Sequence, residues 1–204
     1  MAAIFLGLPR WWWLISLLFA PLAWLAQHLD MPPWVWLAAF VSMLLVFWRT
    51  DASRVPLYMT NRRSAASIAA LLPAGPGRFM DLGCGDGHLL RRLARMRPDW
   101  QFVGVEHAPL TLLWAKVLGM GLPNLSIHYG SIWSQDLRGY ALVYAFLSPV
   151  PMARLWEKAV AELAPGARLV SNSFSVPGVK PSSKVMVEDG RRTCLWVYDI
   201  AVST

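Results

Sequence analysis

Charge is nearly absent from the first 48 residues, where Arg10 and Asp30 are the only Lys, Arg, Asp or Glu. Cysteine is scarce too: Cys84 and Cys194 are alone in 204 residues and stand in no CxxC or other paired spacing. That excludes a disulfide framework and a cysteine zinc site, and no metal is expected. Repeats and low-complexity tracts are lacking. The length leaves no room for a large multidomain enzyme. With 56% hydrophobic against 15% charged residues and a mean hydropathy of +0.40, the chain is too apolar for disorder or for a purely soluble domain.

What is present is unevenly placed. The whole net charge of +7 falls after Trp48, whereas seven of the twelve tryptophans (Trp11, Trp12, Trp13, Trp24, Trp34, Trp36 and Trp48) lie at or before it. Residues 1–50 therefore read as an N-terminal two-helix membrane hairpin and residues 51–204 as a basic globular domain. The uncharged runs 11–26 and 31–48 are near the short end of the ~17 to 25 residues that cross a bilayer, so two transmembrane helices are expected. Tryptophans flank both runs as rings at two head-group levels would. Residues 27–33, with Asp30 and Pro32-Pro33, make a tight connection. Arg10 ahead of the first run and Arg49, Arg54, Arg62 and Arg63 behind the second place both chain ends in the cytoplasm by the positive-inside rule. Arginine outnumbers lysine fifteen to four, and with no transit-like leader this composition points to a bacterial inner membrane. Two rival readings are a cleaved signal peptide ending near Ala23 or Ala26 and a helical hairpin lying in one leaflet. Membrane lipids are the preferred partner of the basic domain, ahead of nucleic acid.

Beyond the hairpin, helix and strand patterns alternate. Residues 62–72 read as a helix closed by Pro73 and Gly75-Pro76-Gly77. Strands are expected over 78–82, 102–106, 125–129, 140–146 and 168–173, with helices over 87–96, 109–120 and 151–164. This order demands a mostly parallel sheet covered by helices on both faces. The extended runs 184–188 and 192–200, joined by Asp189-Gly190, add an antiparallel hairpin at the edge. Arg91, Arg92, Arg95 and Arg97 read as a solvated helix face.

The most informative string is Asp81-Leu82-Gly83-Cys84-Gly85-Asp86-Gly87, which ends one strand and opens the next helix. Its glycines allow a sharp turn and close approach of a ligand to the backbone. Asp81 and Asp86 would repel a pyrophosphate and suit a cationic ligand such as S-adenosylmethionine, which has an ammonium and a sulfonium but no phosphate. Glu106 ends the following strand, where a carboxylate can accept both ribose hydroxyls.

These residues resemble the class I S-adenosylmethionine-dependent methyltransferases. The resemblance implies a seven-stranded Rossmann-like α/β sheet in the order 3-2-1-4-5-7-6. It also implies cofactor binding by Asp81, Gly83, Gly85, Asp86, Gly87, Glu106, His107, Ser131 and Ile132. A narrower similarity is carried by Val55-Pro56-Leu57-Tyr58-Met59-Thr60, Gly130-Ser131-Ile132-Trp133, Phe146 with Pro149, and Thr193-Cys194-Leu195-Trp196-Val197-Tyr198-Asp199. It is to the membrane-anchored methyltransferases that modify lysines of the ATP synthase c-ring protein and the adenine nucleotide carrier. It implies a lysine of a membrane protein as acceptor. Ser131 stands where that family usually has an acid, which weakens adenine recognition there.

Methyl transfer from a sulfonium needs positioning and exclusion of water more than an acid-base set. Tyr58, Tyr144 and Phe146 are the candidate catalytic pocket walls, with Ser148 as a polar lip. His88, His107 and His128 are read as structural rather than as bases. The chain has no Asn-Pro-Pro-aromatic string after the fourth strand, which argues against nucleic-acid base acceptors. Two alternatives stay open: a small-molecule methyltransferase acting on a quinone, lipid or isoprenoid, and a non-catalytic cofactor-binding assembly factor.

Overall fold

The computed structural model describes residues 11–29, 31–46, 60, 62–189 and 193–201. Tyr58, with the rest of the string from Val55 to Met59, lies outside the described residues, as does Gly190 of the hairpin turn. The chain divides into two compact units, Met1–Ser42 and Met43–Thr204.

Two helices stand at the front, α1 (Trp11–His28) and α2 (Pro33–Val46). Leu17, Phe19, Trp24, Trp34, Trp36, Leu37 and Phe40 are all exposed. Among the described residues, however, no helix is long and apolar enough to cross a membrane. This corrects the expectation of two transmembrane helices. At about 1.5 Å per residue, the 14 residues of α2 reach well short of a hydrocarbon core of about 30 Å. The 18 residues of α1 come closer, but they include Pro21 and end in Gln27 and His28, so polar groups fall within the only length available.

The second unit contains α3 (Arg62–Leu71), β1 (Gly77–Leu82), α4 (His88–Met96), β2 (Trp100–Glu106), α5 (Pro109–Gly119) and β3 (Leu125–Tyr129). It continues through a 3-10 turn (Ile132–Ser134), β4 (Leu142–Ala145), α6 (Met152–Glu162), β5 (Arg168–Asn172), β6 (Ser183–Met186) and β7 (Cys194–Asp199). The strands form one seven-stranded sheet in the order β3-β2-β1-β4-β5-β7-β6. Only β7 runs antiparallel to its neighbours β5 and β6. This is the expected mostly parallel sheet with an antiparallel C-terminal hairpin.

Burial explains the strand and helix patterns. β4 is buried at all four positions, as a central parallel strand covered on both faces must be. One face packs Phe79, Phe102, Tyr144 and Val170 against Ala65 and Ile68 of α3, Leu90 and Leu93 of α4, and Ala115 of α5. The other packs Met80, Leu82, Val143 and Leu169 against Met152, Leu155 and Ala159 of α6. The arginine row divides. Arg95 is exposed, whereas Arg91 is buried and bonded back to the glycine loop, so the row is not a uniform solvated face. Arg97 clamps the β1 approach by donating to the carbonyls of Pro73 and Gly75 and to both oxygens of Asp99.

Candidate active site

The carboxyl ends of β1 and β4 open into a cleft with a cavity volume of about 60 Å³. Thr60, Asp81, Gly83, Cys84, Gly85 and Asp86 line it, as do His88, Leu89, Thr111, Tyr144 and Phe146. Parallel sheets place ligands in such a position, outside the strand ends. The loop between β1 and α4 is pinned to β2, because the amides of Gly83 and Cys84 both donate to the Val105 carbonyl, at 2.9 and 3.0 Å. Gly83 and Gly85 have φ of +83° and +56°, and a Cβ on Gly85 would meet nothing within 4 Å. Left-handed backbone with open space beyond it is a floor on which a ligand can lie.

The two acids of the loop differ. Asp86 accepts from the His88 amide at 3.0 Å and pairs with Arg91 at 3.4 Å, so its charge is compensated within the loop. Asp81 is 4% exposed, and among the described residues no hydrogen bond or ion pair compensates it. Burial, helped by repulsion from Glu106, pushes its pKa up to about 8. Glu106 is held by three backbone amides: Gly85 donates to Oε2 at 2.9 Å, and His107 and Ala108 each donate to Oε1 at 2.8 Å. Two carboxylate oxygens offer about four acceptor sites, so Oε2 keeps capacity for a further donor.

Glu106 and the remaining expected cofactor residues are not among the residues that line the cleft. Gly87 has φ +70°, and a Cβ there would come within 2.9 Å of Ile127 Cδ1, so it sets the packing of α4 on the sheet. His107 stacks on Tyr129 with ring centroids 5.4 Å apart, and its buried Nδ1 has no hydrogen-bond partner. Ser131 caps the 3-10 turn by accepting from the Trp133 amide at 3.3 Å, and Ile132 packs against the second core. Ser148, expected as a polar lip, is buried.

On the cleft wall opposite the glycine loop, Tyr144 is 0% exposed, and Thr60 covers its hydroxyl at 2.8 Å. Asn172 donates to the same hydroxyl at 2.7 Å. Neither Asn172 nor Thr111 is legible as a site residue in the sequence, and Thr60 is visible there only as the last letter of a string. Asn172 ends a strand whose pattern reads as plain core. The register supplies the missing signal: Asp81 faces Tyr144, Tyr144 faces Val170, and Asn172 lies one side-chain repeat further along.

A 3-2-1-4-5-7-6 sheet with a glycine loop after β1, an acid ending β2 and an uncompensated carboxyl facing the cleft defines a class I S-adenosylmethionine-dependent methyltransferase. Residues 81–183 match the ANTKMT methyltransferase domain, and the chain belongs to that family. It is 31% identical to adenine nucleotide translocase lysine N-methyltransferase of Mus musculus over 153 residues, 72% of this chain and 64% of that protein. It is 25% identical to the Rattus norvegicus lysine N-methyltransferase of the ATP synthase c-ring protein over 150 residues, 72% of this chain and 67% of that one. The chain thus spans just under two thirds of the mouse relative's length. An RNA methyltransferase from Salinibacter ruber, solved with S-adenosyl-L-homocysteine, shares the fold with a TM-score of 0.65 at 21% identity. The alignment covers 72% of this chain and 96% of that one.

The site residues fit S-adenosylmethionine. Asp81 supplies a buried negative charge for an ammonium, and Gly83 and Gly85 leave the space its amino-acid part needs. Oε2 of Glu106 can accept from a ribose hydroxyl, and the His107–Tyr129 pair beside it is an aromatic shelf with one unused ring nitrogen.

Proposed function

We propose that the protein is an S-adenosylmethionine-dependent methyltransferase that acts on a lysine side chain of a membrane protein. The observation that carries the methyltransferase reading is Asp81, a buried carboxyl in the cleft lining with no cation paired to it among the described residues. The lysine acceptor is supported by the activities of the mouse and rat relatives. When bound, the cofactor supplies an electrophilic methyl on a sulfonium. The chain's own residues then have three tasks. Asp81 and Glu106 hold the two ends of the donor, and the wall of Thr60 and Phe146 over Tyr144 excludes water from the line of attack. The lysine must arrive neutral, so that its lone pair forms the N–C bond as the C–S pair returns to sulfur. Desolvation in the cleft favours that form of the amine.

The seat of the chain on a membrane is part of the same reading. The exposed Leu, Phe and Trp side chains of α1 and α2 support an in-plane contact with the head-group region rather than a crossing. A cytoplasm-facing seat on a bacterial inner membrane is supported by the arginine-rich sequence after Trp48 and by the excess of arginine over lysine. The test is to incubate membranes from cells lacking the gene with purified protein and methyl-labelled S-adenosylmethionine. Label released on peptides by protease supports the proposal. Label extracted by organic solvent assigns the enzyme to a lipid or quinone instead, and no transferred label leaves a cofactor-binding factor.

A further inference from the structure

Along one side of the cleft runs a chain of hydrogen bonds from Ser173 through Asn172 and Tyr144 to Thr60. Ser173 donates from Oγ to Asn172 Oδ1 at 2.8 Å, which fixes the amide so that its nitrogen faces Tyr144. Asn172 Nδ2 then donates to the Tyr144 hydroxyl at 2.7 Å. The same hydroxyl bonds Thr60 Oγ1, 2.8 Å away, in a pair where either oxygen can donate. Ser173 has φ +66°, and it is the only non-glycine with positive φ among the described residues. Strained backbone of this kind persists where the surrounding structure demands one side-chain placement. The chain ends at Thr60, which lines the cleft and is partly exposed, while Tyr144 behind it is sealed from solvent.

We infer that Thr60 is the side chain that meets the acceptor amine, with Tyr144 and Asn172 as positioning residues behind it. The inference rests on the lysine reading above and deepens it. A neutral amine presents two N–H groups and one lone pair, and attack succeeds only when the lone pair is aimed at the methyl carbon. Whichever hydroxyl donates in the bond to Tyr144, Thr60 Oγ1 keeps at least one lone pair that can accept one N–H and so fix the rotation of the nitrogen. The proton that lysine sheds before attack leaves to bulk water, and the chain transfers none. Tyr144, which lines the cleft but exposes no surface to solvent, therefore acts through Thr60.

The full-length protein is assayed on washed membranes from cells lacking the gene, with labelled S-adenosylmethionine as the methyl source. The readouts are protease-released label, and cofactor affinity by calorimetry. Thr60→Val keeps shape and loses the hydroxyl; its kcat falls about tenfold or more while KM and cofactor affinity stay within about twofold. Tyr144→Phe and Asn172→Leu fall in the same way. The double variant T60V/Y144F is no slower than the slower single variant, because the groups act as one unit. Thr60→Ser restores most of the rate. Wild-type turnover in Thr60→Val overturns the inference, and so does a loss that appears in cofactor affinity instead of kcat. Failure of the lysine reading is seen separately, as wild-type protein that labels no peptide.

Discussion

Asp81 and Asp86 share one loop, yet only one of them is left for a ligand. Arg91 and the start of α4 consume Asp86, and Asp81 keeps a carboxyl with a pKa of about 8 in a place built for a cation. Two outcomes follow. Unliganded protein holds a proton on Asp81 that the unfolded chain gives up near pH 4, so this group's contribution to stability is full below about pH 4 and lost as pH rises through about 8. A bound cation reverses the preference and expels the proton. Cofactor affinity therefore climbs as pH rises toward about 8 and levels off above it, by at most about tenfold per unit, and binding releases protons measurable by calorimetry in buffers of different ionisation enthalpy. Asp81→Asn flattens that profile and weakens binding at neutral pH; a steep profile retained in the variant would assign the proton elsewhere. Glu106→Ala removes the acceptor that holds the Gly85 amide and leaves that donor unpaired. A loss of about tenfold or more in cofactor affinity is expected from a charge-assisted bond worth about 1.5 to 3 kcal/mol.

At the scale of the element, the glycine loop works because α4 can lie close to β2. Gly104 of β2 is the contact point: a Cβ there would sit 2.5 Å from Leu90 Cδ1 and 2.7 Å from Cys84 Sγ. Gly104→Ala must push α4 and the loop off the sheet, so we expect a lower Tm together with weakened cofactor binding. Added cofactor should recover part of the lost stability, and an unchanged Tm would show that the contact relaxes freely. Strand and helix order in this unit was readable from alternating apolar runs punctuated by glycine and proline, with ends displaced by a residue or two. The loop acids were readable because they follow a strand and precede a helix. The wall opposite was not, since Thr60 lies 84 residues from Tyr144 and Asn172 lies 28 from it, and only the sheet register brings them together. Local pattern is blind to such pairs. It also overstated the front helices: freedom from charge marks a run as apolar, but tryptophan, Pro21 and an early end decide its reach.

For the whole molecule, the division after Ser42 sets α1 and most of α2 in a unit of their own. The described residues that line the cofactor cleft run from Thr60 to Phe146, within the second unit. Protein lacking residues 1–42 is therefore expected to bind S-adenosylmethionine within about twofold of the full chain; under the proposed membrane seat it also loses turnover on membrane acceptors, since a tether would act through effective concentration. Equal turnover on membranes would show that α1 and α2 play no part in capturing substrate. Collapse of cofactor binding would show that the second unit does not stand alone.

The thiol of Cys84 has a consequence of another sort. It lines the same cleft as the donor's seat, and a thiolate there would be the best nucleophile within reach of the activated methyl. Burial first, and then the fields of Asp81 and Glu106, hold it well above the ordinary thiol range and so keep it as S–H. The same acids that fit the donor's ammonium and ribose thus keep the thiol from competing as a nucleophile. Intact mass after long incubation with S-adenosylmethionine should show no added methylene on Cys84, and iodoacetamide should reach Cys194 first, whereas early loss of Cys84 would mean that the safeguard fails.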